Sequence, residues 1–228
     1  TIFNGNLLFY KNFCIKFKYM LYFNANMPQK IELINFWKEN FSFRGIELNA
    51  FKEVSREDFI PENLKNAAYQ DMPLPLVRGK TISQPTTVMI MTHALELNPG
   101  EKVFEIGTGS GYQAAIIARI VGAKGKVITT EVVPELVQFA RQNLRKANIN
   151  NAIVYEEDGS NGMPVDAPFD KIIITAACKE FPKPLLEQLK PNGIIVGPVG
   201  DKYEQEMVRG TKDKDGHLQL EFLGQFLF

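Results

Sequence analysis

A glycine-rich stretch after a short apolar segment constrains the fold of this chain more than any other feature. Residues 103–111 read Val-Phe-Glu-Ile-Gly-Thr-Gly-Ser-Gly, and a largely apolar segment follows at 112–121. Glycines in such a turn allow a tight reversal and the close approach of a ligand to the backbone. We therefore predict a strand at 102–106, a ligand-holding loop at 107–111 and a helix at 112–121.

Strand and helix patterns alternate along the rest of the chain. Short helices are predicted within 29–70, an extended loop-like stretch from Pro73 up to Thr81, and a helix at 85–97. Further strands are predicted at 126–130, 152–155, 171–175 and 194–196, and further helices at 134–147 and 182–190. Two last strands are predicted at 207–211 and 218–228, around the hairpin signal Asp215-Gly216. This order predicts an α/β fold with a doubly wound, mostly parallel sheet, an N-terminal helical region and a C-terminal antiparallel hairpin.

The chain is predicted to divide into an extension and one compact unit. Residues 1–26 hold eight of the 24 Phe and Tyr residues, carry no acidic residue and show no sustained periodicity. We interpret them as a non-native or upstream extension before a start at Met27, with an aromatic N-terminal arm as the alternative. Residues 27–98 are predicted to form a helical, substrate-side region, and residues 99–228 the α/β core of the same unit.

Composition argues against several classes of function. Lys+Arg and Asp+Glu both number 26, so the balance gives no support for nucleic-acid binding. The two cysteines and two histidines have no metal-ligand spacing, so no metal site is predicted. No apolar run approaches the roughly 20 residues of a membrane span. We therefore expect a cytoplasmic protein without a nucleic-acid or membrane partner.

The spacing of the glycines in the loop indicates which class of ligand it can bind. It reads GxGxG, whereas a dinucleotide site is expected to read GxGxxG, and no Lys-Ser/Thr pair follows as in a phosphate-binding loop. Glu105, near the end of the preceding strand, would repel a pyrophosphate and attract a ligand with an ammonium group. The alternative is a turn whose glycines serve packing alone.

Two acids follow the next two predicted strands. Glu131 lies 20 residues after Gly111, at a strand end where a carboxylate can accept both hydroxyls of a ribose. Asp158-Gly159 follows the third strand, where the Asp side chain can meet an adenine amino group. The alternatives are a solvated or capping acid at 131 and a plain Asp-Gly turn at 158–159.

The run Thr81-Ile82-Ser83-Gln84-Pro85 precedes a predicted helix. Proline favours the first helical position, and the residue before proline avoids helical angles, so Gln84 is the better N-cap candidate. Ser83 is then one residue outside the helix and available for other contacts. No base and acid accompany it, which argues against a nucleophilic serine.

Together these motifs resemble the protein-L-isoaspartate O-methyltransferase family of class I S-adenosylmethionine-dependent methyltransferases. The resemblance extends from about Asn49 to Phe228, and its most family-specific part is the Thr-Ile-Ser-Gln-Pro run. The matching residues are Val54, Arg56 to Pro61, Ala68-Tyr69, Pro73-Leu74-Pro75, Thr81 to Pro85, Glu105 to Gln113, Asp158-Gly159-Ser160, Gly162, Ala167 to Asp170, Thr175-Ala176-Ala177 and Leu186 to Pro191. One departure is Thr86, where the family often has an aromatic residue.

The resemblance implies a Rossmann-like methyltransferase fold and a set of site residues. Ser83 is the implied catalytic residue, touching the substrate carboxylate. The implied contacts to S-adenosyl-L-methionine are Thr81, Ile82, Ser83, Gln84, Glu105, Gly107, Thr108, Gly109, Gly111, Glu131, Asp158 and Gly159. The implied activity is methyl transfer to isoaspartyl carboxylates, whose esters close to succinimides that reopen partly as normal aspartate.

The implied partners are isoaspartyl-containing proteins and peptides, bound by a monomer in a protein-repair role. Three alternatives stay open at this point. A methyltransferase acting on a small molecule or RNA shares the glycine loop and Glu131 but has no reason to carry the Thr-Ile-Ser-Gln-Pro run. A nicotinamide-dependent reductase requires a different glycine spacing. A non-catalytic adaptor would bind S-adenosylmethionine without turnover.

Overall fold

The computed structural model describes residues 30–201 and 203–226. The predictions for residues 1–26 and for a start at Met27 therefore lie outside the described residues. The helices are α1 Lys30–Asn40, α2 Gly45–Glu53, α3 Pro85–Ala94, α4 Tyr112–Val121, α5 Pro134–Lys146 and α6 Lys183–Gln188. The strands are β1 Leu74–Pro75, β2 Thr81–Ile82, β3 Lys102–Ile106, β4 Lys126–Glu131, β5 Ala152–Glu156, β6 Phe169–Ile174, β7 Leu189–Gly200, β8 Gln205–Lys212 and β9 Leu218–Phe226. Short 3-10 helices lie at Arg56–Phe59, Glu62–Ala67, Val77–Gly79 and Gly159–Asn161.

Seven strands form the central sheet in the order β5-β4-β3-β6-β7-β8-β9. Strands β3 to β7 pair in parallel, whereas β8 and β9 continue the sheet as antiparallel neighbours. The chain runs outward from β3 to β5 and then returns to the other side of β3 with β6. In an open α/β sheet, ligands bind at the carboxyl ends of the strands where the order reverses in this way. The predicted doubly wound sheet and C-terminal antiparallel hairpin are confirmed.

The apolar strands are buried because helices cover both faces of the sheet. Phe104 of β3 and Phe169 of β6 are fully buried and stack with ring centroids 5.0 Å apart. On the other face, Phe59 meets Tyr112 of α4 edge to face at 5.4 Å, which joins the N-terminal region to the core. Within the described residues, no helix is long and apolar enough to cross a membrane.

The N-terminal helices pack around one tryptophan. Trp37 of α1 is fully buried and meets Phe51 of α2 edge to face, with ring centroids 4.6 Å apart. Its indole Nε1 donates a hydrogen bond to the Thr86 hydroxyl at 2.8 Å. Thr86 lies in the first turn of α3, so this bond fastens the N-terminal helices to the helix that follows Ser83.

Three sequence-based element predictions are wrong in detail. The extended, loop-like stretch predicted before Thr81 contains a short strand: β1 and β2 form a hairpin in which Leu74 pairs with Ile82. The intervening turn is closed because the Leu76 N–H bonds to the Lys80 carbonyl at 2.7 Å. The helix predicted at 182–190 ends at Gln188, since the next residue already pairs with β6 as the start of a strand much longer than 194–196. Helix α3 ends at Ala94, before the predicted residue 97.

Candidate active site

The carboxyl ends of three neighbouring parallel strands, β3, β4 and β5, bring the glycine loop, Glu131 and the Asp158-Gly159 turn to one edge of the sheet. Directly after β3, the Gly107 and Thr108 N–H groups bond to the Thr130 carbonyl of β4 at 2.9 and 3.0 Å. The Glu157 N–H after β5 bonds to the Glu131 carbonyl at 3.2 Å. The glycine loop, Glu131 and the segment leading to Asp158 and Gly159 are therefore neighbours along this edge.

The loop after β3 adopts a conformation that requires glycine. Gly107, Gly109 and Gly111 have φ values of 95°, 53° and 86°, in the left-handed region that side chains disfavour. The Thr175 hydroxyl donates to the Gly107 carbonyl at 2.6 Å, and a Cβ added at Gly107 would lie 2.5 Å from that hydroxyl. Gly111 is the N-cap of α4, so the loop ends at the start of a helix. The predicted strand, loop and helix are confirmed at 102–121.

Glu131 fixes the glycine loop from the end of β4. Its Oε2 accepts the Gly109 N–H at 2.9 Å, and its Oε1 accepts the Val132 and Val133 N–H groups at 2.9 and 3.0 Å. A carboxylate has roughly four acceptor positions, so these donors leave about one for a ligand hydroxyl. The sequence predicted Glu131 as a hydrogen-bond acceptor for a ribose. It did not predict that Glu131 also accepts three backbone N–H groups.

Glu105 is a fully buried acid with one unsatisfied oxygen. Its Oε2 accepts a hydrogen bond from the Thr129 hydroxyl at 2.6 Å, whereas no described residue bonds to its Oε1. Burial raises the pKa of Glu105 to about 8, the Thr129 bond opposes that shift, and the nearby Glu131 charge adds to it. An orphaned carboxylate oxygen beside a glycine loop fits a ligand that brings a positive charge.

Asp158 and Gly159 have separate roles in the turn after β5. The exposed Asp158 side chain accepts the Ser160 N–H at 2.9 Å and caps a short 3-10 helix, which also lowers its pKa. Gly159 is buried, and a Cβ there would collide with the Thr130 hydroxyl. The turn interpretation of Asp158-Gly159 therefore holds, and a contact to adenine stays a prediction.

The Thr81–Gln84 segment crosses from β2 to α3. Gln84 occupies the N-cap of α3 as predicted, although its side chain makes no capping bond. Ser83 is half-buried, and its hydroxyl has no hydrogen-bond partner within residues 30–201 and 203–226. Arg78, in the turn before β2, donates its Nε to Glu135 in the first turn of α5 at 2.9 Å. This pair ties the hairpin before Ser83 to the helix after Glu131.

Sequence reasoning missed Asp71, which holds the start of α3. Its Oδ1 accepts the Thr86 N–H at 2.9 Å and its Oδ2 accepts the Thr86 hydroxyl at 2.6 Å. The first turn of a helix leaves N–H groups without intrahelical partners, so a nearby carboxylate is a favourable cap. The sequence feature that could have indicated this role is the position of Asp71, an acidic residue between the family motifs Ala68-Tyr69 and Pro73-Leu74-Pro75.

The doubly wound sheet, the glycine turn after β3 and the acids Glu105 and Glu131 match what the resemblance implies for a class I S-adenosylmethionine-dependent methyltransferase. The sequence model of one such family, protein-L-isoaspartate(D-aspartate) O-methyltransferase, matches residues 32–228. This chain belongs to that family.

Curated relatives agree with this assignment. The chain is 48% identical over 171 residues to the protein-L-isoaspartate O-methyltransferase of Methanopyrus kandleri, covering 75% of this chain and 76% of the relative. It is 46% identical over 181 residues to that of Methanococcoides burtonii, covering 79% and 89%. The family prediction is confirmed, and the chain is an S-adenosylmethionine-dependent protein carboxyl methyltransferase.

Solved structures support the same fold. A protein-L-isoaspartate O-methyltransferase structure superposes with a TM-score of 0.78 at 28% identity, over 88% of this chain and 65% of that chain, so this chain spans just under two thirds of its length. A Plasmodium falciparum protein assigned as a beta-aspartate methyltransferase, in complex with S-adenosyl-L-homocysteine, gives 0.77 at 24% identity over 88% of this chain and 97% of that one. The predicted Rossmann-like methyltransferase fold is confirmed.

Proposed function

We propose that this site transfers a methyl group from S-adenosyl-L-methionine to the carboxylate of isoaspartyl residues in damaged proteins. The observation that carries the proposal is Ser83, a half-buried serine without a hydrogen-bond partner in the part of the chain described. It belongs to the family-specific run and lies immediately before α3. The hairpin that leads to it is fastened beside α5 by Arg78 and Glu135.

The residues at the sheet edge fit the cofactor. The unpaired Glu105 oxygen offers a partner for the amino group of the cofactor's methionine portion, whose positive charge would favour the ionised form of this buried carboxyl. The backbone of Gly107, Thr108, Gly109 and Gly111 would border the cofactor. A Cβ added at Gly109 would meet no atom within 4 Å, so the middle of the loop has open space beside it. Glu131 would accept a ribose hydroxyl, and Asp158 and Gly159 would border the adenine. The backbone of Thr81, Ile82, Ser83 and Gln84 would close the site from the α3 side.

The reaction requires little acid–base chemistry from the protein. Bound S-adenosylmethionine supplies a methyl group on a sulfonium whose sulfur departs as a neutral thioether. A substrate carboxylate is already ionised at neutral pH, so no general base is needed. What the chain contributes is in-line positioning and removal of water from the attacking oxygen.

Ser83 is the group proposed to hold the substrate. Its hydroxyl would donate to one oxygen of the substrate carboxylate and leave the other oxygen aimed at the methyl group. A hydroxyl already bonded within the protein would have to break that bond first, whereas the Ser83 hydroxyl has none to break among the described residues. This role needs no neighbouring base, because the serine would act as a hydrogen-bond donor and not as a nucleophile.

The cellular role follows from the product. A methyl ester of an isoaspartyl residue closes to a succinimide and reopens partly as normal aspartate, which amounts to protein repair. The substrates would be unstructured or damaged segments of other proteins, met by a monomer in the cytoplasm. The zero net charge of the chain fits peptide substrates better than nucleic acid.

Transfer of a labelled methyl group tests this proposal against its alternatives. The chain is incubated with labelled S-adenosylmethionine and either an isoaspartyl peptide or a structured RNA. Label in the peptide as a base-labile ester is the expected result. Label in the RNA alone would favour the RNA methyltransferase, and cofactor binding by calorimetry without label in any acceptor would favour the non-catalytic adaptor.

A further inference from the structure

Arg78 occupies a strained backbone position at the tip of the β1–β2 hairpin. It lies in the short 3-10 turn Val77–Gly79 and has a φ of 56° and a ψ of 30°, in the left-handed region. This region is unfavourable for a residue with a Cβ, whereas glycine adopts it freely. Strain of this kind concentrates at functional sites, so the side chain at this position is expected to have a task of its own.

The Arg78 side chain forms an ion pair with a residue far away in the sequence. Its Nε donates to the Glu135 Oε1 at 2.9 Å, and its Nη2 donates to the same oxygen. The Arg78 side chain is 69% exposed and that of Glu135 48% exposed. The bonds from Arg78 lower the pKa of Glu135, so the carboxylate is ionised at neutral pH. The pair therefore joins the tip of the hairpin to the first turn of α5.

Stability does not account for this ion pair. An exposed ion pair contributes little to the free energy of unfolding. The left-handed backbone of Arg78 costs about as much free energy or more, and a glycine at this position would avoid that cost. The arginine is therefore better explained by what the pair holds in place.

Glu135 belongs to the side of the site that would hold the cofactor. Glu131 accepts the Gly109 N–H with one carboxylate oxygen and the N–H groups of the next two residues with the other. Val133 is the N-cap of α5, and Glu135 lies in the first turn of that helix. One carboxylate thus joins the glycine loop to the start of α5, and Arg78 bonds to the same unit.

Ser83 belongs to the opposite side, in the segment that the hairpin leads into. At the base of the hairpin, Asp71 accepts both the N–H and the hydroxyl of Thr86. At the tip, the Arg78–Glu135 pair is the connection to α5. Along the chain, Ser83 lies between Arg78 and Thr86, so it is held between a connection to α3 and a connection to the cofactor side.

We infer that Arg78 and Glu135 are positioning residues for methyl transfer, whose ion pair sets the place of Ser83 relative to a cofactor bound between the glycine loop and Glu131. The inference rests on the proposed function, because this placement matters only if Ser83 holds the substrate. Neither residue of the pair acts on the reacting atoms. Without the pair the tip can move away from α5, and Ser83 spends less time aligned with the methyl group.

A double-mutant cycle tests the pair. Arg78→Gln and Glu135→Gln each remove one charge, and the Arg78→Gln/Glu135→Gln double variant removes both. Lys146→Gln is the matched control, because Lys146, in the last turn of α5, forms an ion pair of comparable exposure with Asp58. The measured quantities are kcat on an isoaspartyl peptide, S-adenosylhomocysteine affinity, melting temperature and deuterium exchange of residues 74–84.

We expect each single variant to lower kcat about threefold to fivefold, in keeping with the strength of an exposed ion pair. S-adenosylhomocysteine affinity should change less than kcat, and the melting temperature should stay nearly the same. Because both changes break one contact, the double variant should be no slower than the slower single variant. Deuterium exchange of residues 74–84 should be faster in all three variants, and Lys146→Gln should match the wild type. Wild-type kcat in both single variants, or losses that multiply in the double variant, would overturn the inference.

Two further measurements separate positioning from stabilisation. Arg78→Gly removes the pair and the strain together, so it should be no less stable than the wild type and yet slower. A glycine variant that is less stable and equally active would make Arg78 a structural residue. Salt screens an exposed ion pair, so at high ionic strength the wild-type kcat should fall towards that of Arg78→Gln, which should itself change less. Parallel declines of the two proteins with salt would contradict a role for the pair.

The proposed function and this inference fail in different ways. A wild-type chain that binds S-adenosylhomocysteine but methylates no isoaspartyl peptide contradicts the proposed function. Deuterium exchange then decides whether the pair positions the segment that contains Ser83. Unchanged exchange of residues 74–84 in Arg78→Gln and Glu135→Gln overturns the inference, and faster exchange that is not additive in the double variant supports it.

Discussion

The backbone N–H of Gly109 donates to the Glu131 carboxylate at 2.9 Å, so the acid at the end of β4 holds the middle of the loop that follows β3. Glu131 also accepts two N–H groups at the entrance to α5. One side chain thus fixes the two segments between which a nucleoside would lie. The acid predicted as a ligand residue is at the same time a structural residue of the loop.

Glu131→Ala is predicted to weaken S-adenosylmethionine binding by about 1.5–3 kcal/mol, the usual contribution of hydrogen bonds to a charged group. The fold should be retained with a lowered melting temperature, because three N–H groups lose their acceptor. Calorimetry and thermal melts check both parts. Glu156→Ala removes an exposed acid at the adjacent strand end and should change neither quantity. Unchanged affinity in Glu131→Ala would remove this residue from cofactor binding.

Gly107→Ala is predicted to destabilise the protein by about 1–3 kcal/mol, the usual cost of a strained backbone position. The φ of 95° disfavours any side chain, and the new Cβ would lie 2.5 Å from the Thr175 hydroxyl. Gly45→Ala is the control, since Gly45 has open space and no positive φ. If Gly107→Ala and Gly45→Ala have the same free energy of unfolding, the loop does not require glycine at position 107 and this description of it is wrong.

Ser83→Ala is predicted to lower kcat on an isoaspartyl peptide more than it lowers cofactor affinity. Stability should be nearly unchanged, because no described residue bonds to the Ser83 hydroxyl. Ser55→Ala is a suitable control: Ser55 is exposed, precedes a 3-10 helix and makes no capping bond. A Ser83→Ala protein with wild-type turnover would make Ser83 a structural residue.

Glu105→Gln is predicted to change how stability depends on pH in the cofactor-free protein. The pKa of Glu105 is raised from 4.5 to about 8 in the folded state, so the folded protein binds more protons than the unfolded chain between these values. Wild-type stability should therefore fall as pH rises through this window, relative to the variant. Melting temperatures from pH 5 to pH 8 measure the difference, and a constant difference would contradict a buried, unpaired acid. The variant should also bind S-adenosylmethionine more weakly.

The glycine loop and the alternating elements were predictable because each rests on a local pattern. The strand at Lys102–Ile106 and the helix at Tyr112–Val121 have the predicted bounds, since apolar runs and glycine stops determine them. Gln84 was predictable as the N-cap because proline restricts the residue before it. The places of Glu131 and Asp158 at or just after the ends of β4 and β5 were predictable for the same reason.

Contacts between distant segments were not predictable from these patterns. Asp71 caps a helix that begins at Pro85, and its partner Thr86 had been noted only as a departure from the family. Arg56 belongs to a recognisable motif, yet its complete burial depends on how Phe59 and Tyr112 pack. The β1–β2 hairpin was missed because two-residue strands carry no periodic signal.

The most direct test of the central claim compares two peptides of identical sequence, one with an isoaspartyl and one with a normal aspartyl residue. Each is incubated with this chain and labelled S-adenosylmethionine, and the ester formed is quantified by mass spectrometry. The account predicts methylation of the isoaspartyl peptide, little or none of the aspartyl peptide, and a much reduced rate in Ser83→Ala. Equal methylation of the two peptides, or none of either by a chain that binds the cofactor, would contradict it.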